Sequence, residues 1–153
     1  MSVLPQKSTI QAANEAFLPT MRELVRAYQA FSAYSEADIR KFDLTPAQFD
    51  VIATLGNTNG MSMGEIGEKT LITKGTLTGV IDRLIQKRLV FRQTPSENRR
   101  TVIVQLTPEG QQVFEQVFPA HIAHLKEQFE KLEPSELELL KVLLARLRQV
   151  FQN

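Results

Sequence analysis

A mainly α-helical fold broken by one β-hairpin is what this sequence predicts, and three observations predict it. Apolar residues recur at steps of three and four through most of the chain, the spacing that gathers them on one side of a helix. Between Leu89 and Thr107 the period drops to two, as it does in half-buried strands. Starts of helices are punctuated by Ser or Thr, followed by Pro or, three positions on, by Glu or Gln, as in Thr45-Pro46, Ser62 with Glu65, and Thr107-Pro108. About six helices and a two- to three-stranded β element are expected, within a single chain unit of 153 residues.

Along the chain, Phe17, Leu18, Met21, Leu24, Val25, Tyr28 and Phe31 mark a first amphipathic helix from about Ile10 to Tyr34, with Pro19 as a point of kinking. Thr45 caps a second helix, with Pro46 at its first position and Gln48 closing a capping box; Phe49, Val51, Ile52 and Leu55 carry it to a Gly56-Asn57 turn. Ser62 and Glu65 form a second box that opens a short helix lasting to about Thr70, and Thr73 caps the next, which bears Leu77, Val80, Ile81, Leu84 and Ile85. Two short helices separated by a tight turn make a helix-turn-helix. Val90 to Gln93 and Val102 to Leu106 then read as the strands of a hairpin, with Pro95 to Arg100 at its tip. Thr107-Pro108 opens a long helix to about Leu132, and Pro134 with Glu136 opens a last one bearing Leu137, Leu140, Leu143, Leu144, Leu147 and Phe151. The result is a winged helix-turn-helix lobe at residues 44–106. The helical regions 8–36 and 107–153 carry more apolar surface than such a lobe needs, so they are expected to pack against a second copy.

Charge is concentrated rather than spread. The segment Ile72 to Val104 holds Lys74, Arg83, Lys87, Arg88, Arg92, Arg99 and Arg100 against Asp82 and Glu97, in a chain whose formal net charge is only +1. A local cationic face on a nearly neutral body points to a polyanion, and double-stranded DNA is the commonest one. The absence of cysteine excludes disulfides, thiolate catalysis and Cys-containing zinc sites. Neither a signal-peptide pattern nor a membrane-length apolar run appears, so a cytoplasmic protein without a membrane partner is expected.

Gly60-Met61-Ser62-Met63-Gly64 matches the G-x-S-x-G pattern of serine hydrolases. That motif needs a strained strand-to-helix turn above a parallel sheet, for which the flanking helices leave no room, and Ser62 has a simpler task as an N-cap. No phosphate loop or paired-carboxylate motif occurs, so neither an enzyme nor a cofactor is expected. His121 and His124, three apart on a helix, could share a metal, but hydrogen-bonded histidines are the favoured reading. The charged segment fits DNA better. The helix starting at Thr73, itself a DNA-binding candidate, offers Lys74, Thr76 and Thr78 to reach base edges and thymine methyls, and Gly75 and Gly79 would let backbone come close either to DNA or to a neighbouring helix. Arg83 would meet a phosphate or brace the wing, and Arg88 would add a phosphate contact, while Arg99 and Arg100 at the tip suit a minor groove; Arg92 and Asn98 complete the DNA-binding candidates.

These residues resemble the MarR family of winged helix-turn-helix regulators. Leu44-Thr45-Pro46-Ala47-Gln48-Phe49 is similar to the family's second-helix signature, Thr76 to Leu84 to its recognition helix, and Asn98-Arg99-Arg100 with Val102 to Gly110 to its wing and following helix. The resemblance implies a homodimer on a pseudo-palindromic operator, usually a repressor, released by a small-molecule effector such as an aromatic carboxylate. A helical ligand- or partner-binding dimer without an operator is the alternative, and loss of operator affinity on Arg99→Ala would separate the two. Three departures stand out. Asn98 replaces a family aspartate, Arg88 stands where a glycine is common, and Thr94-Pro95-Ser96 replaces an acidic turn. The less negative tip is expected to strengthen non-specific binding, with a steep salt dependence.

Overall fold

The computed structural model describes residues 8–94 and 101–152. The chain divides between Ala37 and Asp38 into two compact units.

The first unit opens with α1 (Thr9–Ala13), capped by a reciprocal pair in which Gln11 N–H donates to Ser8 Oγ and Ser8 N–H to Gln11 Oε1. The long helix α2 (Leu18–Arg40) begins here and runs across the division. The sequence predicts one helix kinked at Pro19; the structure has two. Pro19 falls in the first turn of α2, where an amide N–H has no intrahelical partner and its loss costs nothing. The expected stripe is present, but Phe17, Met21, Leu24, Val25, Tyr28 and Phe31 stay between 38% and 65% exposed, far from a buried face.

The second unit holds the remaining elements: α3 (Pro46–Leu55), β1 (Met61–Ser62), α4 (Met63–Lys69), α5 (Lys74–Gln86), β2 (Val90–Gln93), β3 (Ile103–Leu106), α6 (Pro108–Phe129) and α7 (Pro134–Gln152). The strands form an antiparallel sheet in the order β1-β3-β2, with Val90 opposite Leu106 and Met61 opposite Val104. Met61, Val90 and Val104 turn inward to meet Val51, Ile52 and Leu55 of α3, Ile66 of α4 and Leu77, Ile81 and Leu84 of α5 in one core. The Thr45–Gln48 box at the head of α3 forms as expected, at 3.1 and 3.2 Å. Ser62 caps α4 by accepting a hydrogen bond from Glu65 N–H, but the Glu65 carboxylate accepts one from the Ser62 hydroxyl instead of reaching the backbone, so the box is incomplete. Helix α7 buries none of its residues and leaves Leu139, Leu140, Val142, Leu143, Leu144, Val150 and Phe151 exposed.

Helix α5 ends in a Schellman motif: Leu89 N–H donates to Leu84 C=O, Arg88 N–H to Ile85 C=O, and Arg88 takes φ +62°. The position is left-handed, as the resemblance implies, and Arg88 fills it at the cost of Cβ crowding against the backbone. Arg88→Gly is therefore expected to raise stability by about 1 kcal/mol, seen as a higher urea midpoint at unchanged slope. Beyond the turn, Thr107 Oγ1 donates to Arg88 C=O at 2.6 Å and Thr107 N–H to Leu89 C=O at 3.0 Å. These bonds fasten the end of α5 to the start of α6.

His121 on α6 is buried, with Nδ1 2.7 Å from Asp38 Oδ2 and its ring edge-on to Phe49 at 4.7 Å. His124 Nε2 lies 4.0 Å from Asp38 Oδ1. The two histidines thus approach one carboxylate in the last turns of α2, and no group of three or more His, Cys, Asp or Glu among the described residues is arranged to hold a metal ion.

Candidate nucleic-acid interface

Helix α5 buries Leu77, Val80, Ile81 and Leu84, packs Ile85 half-buried against the same core, and turns its other residues outward. The line directly opposite that apolar stripe is Gly75, Gly79, Asp82 and Gln86, a spacing of four, three and four. Lys74, Thr76, Thr78 and Arg83 flank it, all exposed. A Cβ built on Gly75 or Gly79 meets nothing within 4 Å. Packing against a neighbouring helix of the same chain therefore does not explain either glycine. The first half of that outer line is bare, at Gly75 and Gly79, with polar side chains beside it, which suits close approach to a surface outside the chain.

Thr73 sits at the N-cap position, but its hydroxyl donates to Thr76 Oγ1 at 3.1 Å and caps no backbone amide, contrary to expectation. The first amides of α5 consequently lack a side-chain cap from Thr73 and face outward with the helix's partial positive charge, a favourable end for phosphate. The structure thus gathers Thr73, Lys74, Gly75, Thr76 and Thr78 at one end of the helix, with Arg83 farther along the same exposed side. Arg88 lies past the opposite end, about 20 Å along the axis from Lys74 at the usual rise per residue.

Two of the basic residues turn back onto the protein. Arg92 of β2 donates to Asp82 Oδ1 at 2.6 Å, fastening the wing strand to the outer face of α5. Both side chains are more than a third exposed, so the pair contributes positioning more than stability. Lys87 Nζ donates to Asp43 C=O at 2.6 Å and to Gln48 Oε1 at 3.0 Å, bridging the end of α5 to the head of α3. Lys87 also borders a cavity of about 290 Å³ lined by Phe42, Asp43, Leu44, Leu89 and Val113. Asn98, Arg99 and Arg100, with the replaced turn at Pro95-Ser96, lie outside the described residues.

Sequence reasoning missed the support beneath the turn between α4 and α5. Asp50 on α3 accepts the backbone N–H of Leu71, and burial pushes its carboxyl above the ordinary carboxylate value while that bond pulls it back in part. The available signal is a lone carboxylate among Phe49, Val51 and Ile52. Because the folded value is raised, the uncharged form is favoured by folding. Its stabilising contribution is complete below about pH 4 and is lost as pH rises through the folded value. Asp50→Asn keeps an acceptor for Leu71 and cannot ionise. Relative to this variant, wild type is expected to gain stability as pH falls from 7 towards 4, measured by urea unfolding at each pH.

Known proteins share this fold. Residues 42–101 match the family model described as MarR family. The chain is 32% identical over 124 residues to the HTH-type transcriptional regulator MhqR of Bacillus subtilis, covering 81% of this chain and 86% of that protein. Among solved structures, Bordetella bronchiseptica BpsR, whose DNA binding is regulated by 6-hydroxynicotinic acid, superposes with a TM-score of 0.77 at 30% identity, covering 88% of this chain and 96% of that one. A mutant of MarR from E. coli, complexed with operator DNA, superposes with a TM-score of 0.76 at 25% identity, covering 88% of this chain and 99% of that one.

Proposed function

The chain belongs to the MarR family of DNA-binding transcriptional regulators, and from that premise we propose that it acts as a homodimeric repressor on a pseudo-palindromic operator and is released by a small aromatic acid. The observation that carries the reading is the outer face of α5, bare at Gly75 and Gly79 and flanked by Lys74, Thr76, Thr78 and Arg83. The lobe at residues 44–106 presents that face. Residues Thr73 to Thr78 enter the major groove, Arg83 and Arg88 meet phosphates, Arg92 holds the wing, and Asn98, Arg99 and Arg100 reach the minor groove.

The apolar residues left exposed on α2 and α7 are the surface for the second copy, so regions 8–36 and 107–153 form the dimer. Two recognition helices must then stand about 34 Å apart to meet successive major grooves. A ligand that favours another separation weakens binding without touching DNA. The Thr107 bonds to Arg88 and Leu89 are the joint that would pass such a change from α6 to α5. An aromatic acid is proposed as effector because BpsR, similar in fold and sequence, is regulated by 6-hydroxynicotinic acid. The reading needs no catalysis and no cofactor, with Ser62 serving as a cap, and it places the protein in the cytoplasm with the chromosome. No described helix is long and apolar enough to cross a membrane.

The test is titration of hydroxylated aromatic acids into the protein bound to its selected duplex. Two protein chains per duplex, and dissociation by at least one such acid, are expected. A monomeric complex, or indifference to the whole series, contradicts the dimer or the effector respectively.

A further inference from the structure

Leu71 occupies the turn between α4 and α5 and is 95% exposed, the most exposed large apolar side chain among the described residues. A single exposed leucine is ordinary on a protein surface. This one is held by a framework. Its N–H is taken by the half-buried carboxylate of Asp50, which burial makes harder to ionise. The residue before it, buried Thr70, donates its hydroxyl to Ile66 C=O at 2.8 Å and accepts Ile72 N–H at 3.4 Å. The backbone on both sides of Leu71 is therefore tied down, while its side chain projects into solvent. Of its neighbours along the chain, Lys69, Thr73, Lys74 and Gly75 are exposed and carry no apolar side chain, and Ile72 packs half-buried against the core.

What adjoins Leu71 is the start of α5, the end of a recognition helix that meets base edges. Major-groove surface offers an apolar group at one place only, the thymine C5-methyl. We propose that Leu71 is a further specificity residue, reading a thymine methyl in each operator half-site. This rests on the operator-binding function proposed above. The Asp50 bond makes the contact selective: a leucine on a fixed turn meets one base-pair position, whereas a leucine on a loose turn would meet several.

The experiment compares wild type and Leu71→Ala on the duplex selected by wild type and on the same duplex with deoxyuridine replacing thymine at one symmetric pair of positions at a time, which deletes only the methyl. Wild type should lose about tenfold in affinity at one such pair, the value for about one buried methyl per half-site over two half-sites. Leu71→Ala should bind the thymine duplex with a similar loss and show no further loss with deoxyuridine, at an unchanged melting temperature and salt slope. Equal sensitivity of both proteins to deoxyuridine, or no loss in Leu71→Ala, overturns the assignment while leaving the operator function intact. Failure of wild type to select any symmetric sequence overturns both.

Discussion

Gly75→Ala with Gly79→Ala is expected to give a more stable protein that binds its operator far more weakly. Glycine in a helix interior costs roughly 0.8–1.0 kcal/mol relative to alanine, so the double variant should gain about 1 kcal/mol, most of it at Gly79, because Gly75 lies in the first turn. Nothing in the chain opposes the added methyls, since neither Cβ has a neighbour within 4 Å. The opposition comes from DNA. If the bare line of α5 lies against the groove, two methyls in each half-site force the helix outward and lengthen every contact made by Lys74, Thr76 and Thr78. A loss of about a hundredfold in affinity follows if each half-site forfeits about 1.4 kcal/mol, within the usual cost of a spoiled base contact. Thermal melting and operator titration of one preparation check both signs. Stabilisation without loss of affinity would place the DNA elsewhere.

Gly110→Ala is expected to do the reverse and cripple the fold. A Cβ at Gly110 would run into the carbonyl oxygen of Leu89, and Leu106 Cδ2 would lie 3.3 Å away. That carbonyl cannot step aside, because it accepts Thr107 N–H at the joint between α5 and α6. Overpacking against backbone at such a point should cost about 3 kcal/mol, a large part of the 5–15 kcal/mol that holds a typical domain. A urea midpoint indistinguishable from wild type would show that the joint yields. The two glycine predictions share a residue type and a helical setting; they differ in what lies next to the missing Cβ.

Much of this is legible in the sequence because it depends on neighbours along the chain. Thr45 with Gln48, Thr107 with Pro108, and the Leu77, Val80, Ile81, Leu84 stripe each need only local spacing, and each stands where that spacing puts it. Pro19 misleads because the apolar period continues past the break at Asn14, so periodicity alone cannot separate α1 from α2. Thr73 has the right residue type for a cap, yet its hydroxyl finds Thr76 instead of a backbone amide. The remaining misses are contacts across the fold. Arg92 meets Asp82 only because β2 returns against α5, Lys87 meets Gln48 across 39 residues, and His121 meets Asp38 across 83. Leu71 fits neither the helix period before it nor the one after, and that misfit is the available sign.

The central claim is that this chain reads a two-fold symmetric DNA sequence as a dimer. Selection of bound duplexes from a randomised pool by the purified protein, followed by sequencing, tests it most directly. Two inverted half-sites with centres about 10 base pairs apart, one helical turn, are the predicted result. A folded protein that enriches no sequence, or only a single unpaired half-site, would contradict it.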